Sequence, residues 1–125
     1  MTVLNACVSD RDEQRTFFVN DNDGWSSLVE PIGTRGGQFI PQEVRTTPLD
    51  ELVDEFGMPD FMKIDVEGAE PQLVAALARH GAVPRLLALE IDFYHGDPIT
   101  ELADLGYDRF HLVRQPNLEP DPGSR

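Results

Sequence analysis

Apolar residues along the chain recur with two periods, and each period marks a different kind of element. Val3 to Ser9 is a short apolar run closed by Ser9-Asp10-Arg11-Asp12, and Thr16 to Val19 resumes it, so the spacing predicts a hairpin. Asn20-Asp21-Asn22-Asp23-Gly24 is a turn, Trp25 to Val29 a short extended or irregular piece packed through Trp25 and Leu28, and residues 30–43 a glycine- and proline-rich loop. After the extended Val44-Arg45-Thr46, Thr47-Pro48-Leu49-Asp50 reads as a helix start, with Thr47 as the cap and Pro48 at the first helical position. Leu49, Leu52, Val53 and Phe56 follow at helical spacing until Gly57 and Pro59.

The run from Phe61 to Glu67 alternates: Met62, Ile64 and Val66 share one strand face, and Lys63, Asp65 and Glu67 share the other. A helix with Ala69, Leu73, Val74 and Leu77 on one side follows at once and stops at His80-Gly81. Leu86 to Ile91 is continuously apolar, as a strand buried on both faces is, with Glu90 near its carboxyl end. Asp97-Pro98 then caps a helix through Ile99, Leu102 and Leu105, and Arg109 to Val113 is a last strand candidate. The proline-rich tail over residues 114–125 has the composition of a disordered segment, which leaves residues 1–113 as the folded part.

Strand, helix, strand, helix, strand over residues 61–113 implies parallel crossovers and an α/β sheet. A lone antiparallel strand with one wet face gives the same alternation at Phe61, but the helix directly after it favours the parallel arrangement. Helices on both faces would bury Lys63 and Asp65, which then have to satisfy each other or a ligand. Asp65 and Glu67 fall beyond the carboxyl end of their strand, where open α/β sheets bind ligands.

With 125 residues the chain is one domain at most, and 40% hydrophobic residues suffice for an ordinary core. No stretch approaches the length of a membrane span, and no apolar leader opens the chain, so the expected location is cytoplasmic. Ten basic and 23 acidic residues give a net charge of −13, which argues against nucleic acid and anionic membrane as partners. The basic residues are nine arginines and a single lysine, Lys63, so a lysine within a strand stands out. Cys7 is the only cysteine, which rules out an internal disulfide and a cysteine-built zinc cage. Asp65, Glu90 and His95 lack the spacing of a recognised metal site.

Thr47-Pro48-Leu49-Asp50-Glu51-Leu52, the run Asp60 to Glu70 containing Lys63-Ile64-Asp65-Val66-Glu67-Gly68-Ala69-Glu70, and Leu89-Glu90-Ile91 resemble the second half of the FkbM-like methyltransferases. Ala6 to Asp10 and Trp25 to Leu28 match weaker upstream pieces, so the resemblance covers about residues 3–95. It implies an S-adenosylmethionine-dependent enzyme that methylates a hydroxyl of a sugar, polyketide or similar small molecule. It also implies a Rossmann-like class I methyltransferase sheet, mostly parallel, here lacking its first two strands and the glycine-rich turn that cradles the cofactor. The chain is then expected to be the carboxyl part of such a domain. By itself it should bind the cofactor weakly or not at all, and the open seam should invite self-association.

On the same resemblance, Asn5 and Ala6 lie at a strand end beside the adenine, and Asp65 sits where the cofactor methyl meets the acceptor hydroxyl. Candidate bases for that hydroxyl are Asp65, Glu90, His95 and Glu67. Glu67 reads equally well as a first-turn acid favoured by the following helix's dipole, and His95 as an ordinary loop histidine. A non-catalytic remnant or interaction module, and a metal-dependent barrel phosphodiesterase, are the readings of other classes.

Overall fold

The computed structural model of the protein describes residues 1–113, and the tail expected to be disordered lies outside them. In chain order the described residues form β1 (Cys7–Ser9), β2 (Gln14–Asn20), α1 (Glu30–Gly33), β3 (Phe39–Pro48), α2 (Leu49–Phe56), β4 (Phe61–Ile64), α3 (Glu70–His80), β5 (Leu86–Leu89) and α4 (Pro98–Asp104). The strands make two sheets, one ordered β1-β3-β2 and the other β4-β5. The fold is mixed α/β.

The predicted hairpin between the first two strands is corrected, because β3 lies between them, parallel to β1 and antiparallel to β2. Thr46 of β3 holds this arrangement. Its hydroxyl is buried, donates to Arg11 O at 2.6 Å and accepts from Glu13 N at 3.1 Å, so the turn after β1 wraps around β3 before β2 begins.

The stretch 30–43 is not a loop throughout. It holds the short α1, a 3₁₀ turn at Arg35–Gly37 and the first half of β3. That half of β3 is exposed on both faces, so no alternation betrays it, and its extended form comes from pairing with β2. Pro41 is tolerated there because Phe18, opposite it, spends both backbone groups on Ser27 along the other edge of β2.

β4 and β5 run parallel with Phe61 opposite Leu86 and Ile64 opposite Leu89, linked by α3. Gly81 ends α3 in the left-handed conformation, φ 84°, with its N–H on Leu77 O. Leu49 and Val53 of α2, Ile64 of β4, and Leu73, Ala76 and Leu77 of α3 form the core. Val8, Met62, Val66, Leu87 and Leu89 pack against it, so one core joins the two sheets. The alternation read at Met62, Ile64 and Val66 points inward as predicted.

Among the described residues no layer covers the opposite face. Phe61 and Leu86 are 56% and 47% exposed, and Lys63 between them is exposed too. The expected Lys63–Asp65 pair is therefore absent among the described residues, because solvent satisfies a lysine that no helix covers. Two further expectations are corrected. Thr47 belongs to β3 and caps nothing, Pro48 standing at the start of α2 without a side-chain cap. Residues 109–113 form no strand; Phe110, Leu112 and Val113 are exposed, and the approach to them is tied by the Tyr107 hydroxyl donating to Pro84 O. Asp97 does cap α4, accepting from Thr100 N at 3.1 Å.

Gly81 and Gly68 both have positive φ, but a Cβ at Gly81 would meet open space, whereas one at Gly68 would run into the Ile32 side chain of α1. Gly81→Ala is expected to cost about 1 kcal/mol of backbone strain, and Gly68→Ala about 2–4 kcal/mol because overpacking adds to it. Urea denaturation of the two variants measures the difference.

Candidate functional site

The turn from β4 into α3 spans Asp65 to Ala69, and its shape is set by Glu70, the first residue of α3. Glu70 is 1% exposed, and its carboxylate folds back to accept from Val66 N at 3.1 Å and Gly68 N at 3.0 Å. Burial pushes this carboxyl up, and the Gly68 and Val66 donors draw it back down. Closing the turn on its own helix forces Glu67 to φ 48°, the only non-glycine among the described residues with positive φ, and Gly68 to φ 100°.

Glu67 is thus not a first-turn acid of α3; it lies in the turn ahead of the helix. Two contacts from the segment before α1 and just after it hold it there. The buried Ser27 hydroxyl donates to Glu67 O at 2.6 Å, and Arg35 Nη2 donates to Glu67 Oε2 at 3.0 Å. Arg35 is itself fixed: Nε donates to Ile32 O at 2.9 Å, and the guanidinium lies 4.8 Å from the Trp25 ring centre and 4.7 Å from that of Phe93. Ser27, Arg35 and Phe93 were not singled out from the sequence. The only signal was the length of the connection around Arg35, since long connections in compact domains tend to be functional.

Asp65 and Glu90 follow directly on the paired ends Ile64 and Leu89, and Glu90 N bonds to Ile64 O at 3.3 Å. The carboxylates of Asp65, Glu67 and Glu90 consequently converge, one oxygen of each lying within 4.8 Å of the others. Asp65 is exposed, the other two half-buried. The Glu90 carboxyl is pushed up to about 7 by burial first, then by its hydrogen bond to Asp65 and by the charges of Asp65, Glu67 and Asp92. Burial also raises Glu67, outweighing the downward pull of Arg35. Carboxylates this close disfavour one another's charge, and at Glu90 the result is a proton held close to neutral pH. His95 is exposed and lies outside this trio.

An open cleft of about 830 Å³ adjoins the trio, lined by Asn5, Ala6, Phe17, Gln42, Asp65 and Glu67 among others. Asn5 and Ala6 are exposed and precede β1 instead of ending a strand, but they do face the same cleft as Asp65. A smaller cleft of about 230 Å³ separates β1 from β4, between Val8 on one side and Met62, Ile64 and Leu73 on the other.

These features define an α/β domain with acids gathered at the carboxyl ends of two adjacent parallel strands, beside a cleft large enough for a small molecule. Residues 1–109 match the family model described as the methyltransferase FkbM domain, and the chain belongs to that family. Neither a curated protein nor a solved structure matches it. By family it is a methyltransferase domain, and among the described residues no helix is long and apolar enough to cross a membrane.

A raised carboxyl makes stability depend on pH with a defined sign. Below the ordinary glutamate value of 4.5 both folded and unfolded Glu90 hold the proton; between 4.5 and about 7 only the folded form does. The unfolded state then binds fewer protons, so the contribution of Glu90 falls as pH rises through that window. Glu90→Gln should remove this fall, and the wild-type minus variant difference in melting temperature, followed from pH 4 to 8, is expected to shift against the wild type across it.

Proposed function

We propose that the chain is the acid-bearing half of an S-adenosylmethionine-dependent methyl-transfer site, with a small-molecule hydroxyl as acceptor and Asp65 and Glu90 as the groups that receive its proton. The observation that carries this reading is the convergence of the Asp65, Glu67 and Glu90 carboxylates at the ends of β4 and β5, with Asp65 and Glu67 lining the cleft; burial and the neighbouring acids push the Glu90 carboxyl up to about 7. A general base works best when its proton affinity lies near the operating pH. The cleft suits the cofactor's chemistry in two respects: its volume is that of a small-molecule site, and its acids complement a positively charged sulfur.

When bound, S-adenosylmethionine supplies a methyl group on a sulfonium. Asp65, exposed at the strand end, orients the acceptor hydroxyl, and the Asp65–Glu90 pair takes up the hydroxyl proton as its oxygen is alkylated. Glu67 adds negative potential, and its ion pair with Arg35 pulls its proton affinity down against the burial that raises it. Asn5 and Ala6 contribute the far wall of the cleft, where the adenosine part would lie. His95 remains a candidate base only by its place in the chain after Glu90.

A Rossmann-like sheet is part of the same proposal. It is supported by the parallel β4–β5 pair and by β1 and β4, each of which has an edge with no strand beside it among the described residues, facing one another across an apolar cleft. Self-association is proposed on the exposure of Phe61 and Leu86. A non-catalytic role is the second reading, favoured by a cleft in which Gly24 is the only glycine, since close backbone approach to a cofactor uses glycine.

Release of S-adenosylhomocysteine with a panel of hydroxylated acceptors tests the first reading. Asp65→Asn is expected to lower turnover by about 10²- to 10⁴-fold while the melting temperature stays within a few degrees. Lys63→Met, at an exposed position with no ion pair among the described residues, should alter neither. Turnover that survives Asp65→Asn and Glu90→Gln alike would remove the acids from the chemistry, and calorimetry finding no cofactor binding would favour the non-catalytic reading.

A further inference from the structure

The three converging carboxylates stand against a single counter-charge. Among the described residues, Arg35 is the only basic side chain ion-paired to any of them, and it meets Glu67 alone, at 3.0 Å. Its hold is built, not incidental. The guanidinium lies between the Trp25 and Phe93 rings, Nε is bonded to Ile32 O, and the side chain is 23% exposed. An arginine stacked on two rings and bonded at two nitrogens has little freedom left, so it acts as a fixed charge in a fixed direction.

The geometry of Glu67 answers to that charge. Its backbone stands at φ 48°, a conformation that costs a non-glycine residue free energy, and the Ser27 hydroxyl on Glu67 O maintains it. The carboxylate is thereby turned to Arg35, while the Asp65 and Glu90 carboxylates lie beside it without a cation of their own among the described residues. The charged and titratable groups acting on the cluster are Asp65, Glu67 and Glu70 from the β4–α3 turn, Glu90 and Asp92 from the segment after β5, and Arg35 from the segment after α1.

We propose that Arg35 is a positioning residue: clamped between Trp25 and Phe93, it draws the Glu67 carboxylate to itself and offsets its charge, leaving Asp65 and Glu90 as the acids free to take a proton. Without it, the Glu67 charge faces Asp65 and Glu90 with no cation to offset it. Arg35 acts through Glu67 and needs no contact with a substrate. The inference rests on Asp65 and Glu90 being the proton-accepting pair, but its test uses neither methyl donor nor acceptor, so it fails independently of the turnover experiment.

The test is a ¹³C carboxyl NMR titration of Glu90 in the 125-residue chain from pH 4 to 9, in the wild type, Arg35→Met, Glu67→Gln, the double variant and Trp25→Leu. Loss of the cation facing Glu67 should raise the Glu90 midpoint by about one pH unit in Arg35→Met. In the Glu67→Gln background the same Arg35→Met change should move it by less than about a third of that, because the route through Glu67 is closed. Trp25→Leu, which leaves the arginine but removes one ring of its clamp at a 39% exposed position, should give a smaller upward shift and serves if Arg35→Met does not fold. An unmoved midpoint in Arg35→Met, or in Trp25→Leu where that variant stands in, overturns the proposal. So does an equal shift with and without Glu67, which would mean that Arg35 acts on the pair directly.

Discussion

A carboxylate buried at 1% exposure is tolerable only if every lone pair that loses water finds a donor, and Glu70 finds two in the turn just before its own helix. Most of the site depends on that one folding-back. With Val66 N and Gly68 N committed to the same side chain, the chain between them has to reverse within a residue, which places Glu67 in the left-handed region and leaves no room for a Cβ at position 68. The missing Cβ is what lets Ile32 close against the turn, so α1 and the segment around it are seated by the same constraint. Asp65 is then left at the mouth of β4, one residue past the last ladder pair, beside Glu90 in the same position on β5.

Electrostatics follows from this packing more than from net charge. The chain carries thirteen more acidic than basic residues, and most of that excess is spread over solvated surface where screening makes it weak. At the ends of β4 and β5 the same excess becomes local: three carboxylates converge in a partly dry place, and burial and neighbouring charge raise the proton affinity of Glu67 and Glu90 above that of dispersed acids. Among the described residues, the one cation ion-paired to them comes from the segment following α1, far from them in sequence.

The halves of the fold are unequal in how they are held. β4, β5, α2 and α3 share the core of Ile64, Leu73 and Leu77, whereas β2 and the start of β3 are sustained mainly by their mutual ladder and by the buried Asn20, whose amide donates to Gly33 O and Arg35 O. Asn20 thereby ties the β2 end to the segment that carries Arg35. The cleft lies between the two halves, with Phe17 and Gln42 on one wall and Asp65 and Glu67 on the other.

What the sequence determined by itself was local. The alternation at Met62 and Ile64, the helical spacing of Leu73, Val74 and Leu77, the Gly81 stop and the Asp97 cap each depend on residues within a few positions of one another, and each stands in the structure as read, whereas Val66 packs against the core from the turn because β4 ends at Ile64. The placing of Asp65 and Glu90 near the carboxyl ends of their strands was legible for the same reason, each acid following an apolar run, while the register that sets them side by side belongs to the β4–β5 ladder. Tertiary structure decided what joins separate segments: that β3 parts β1 from β2 through Thr46, that Lys63 faces water instead of Asp65, and that residues 109–113 pair with no strand. It also decided the partner of Glu67. An ion pair between positions 32 residues apart has no periodic signature, and which arginine arrives there depends on how Gly68 admits Ile32 and how Trp25 and Phe93 close around the guanidinium.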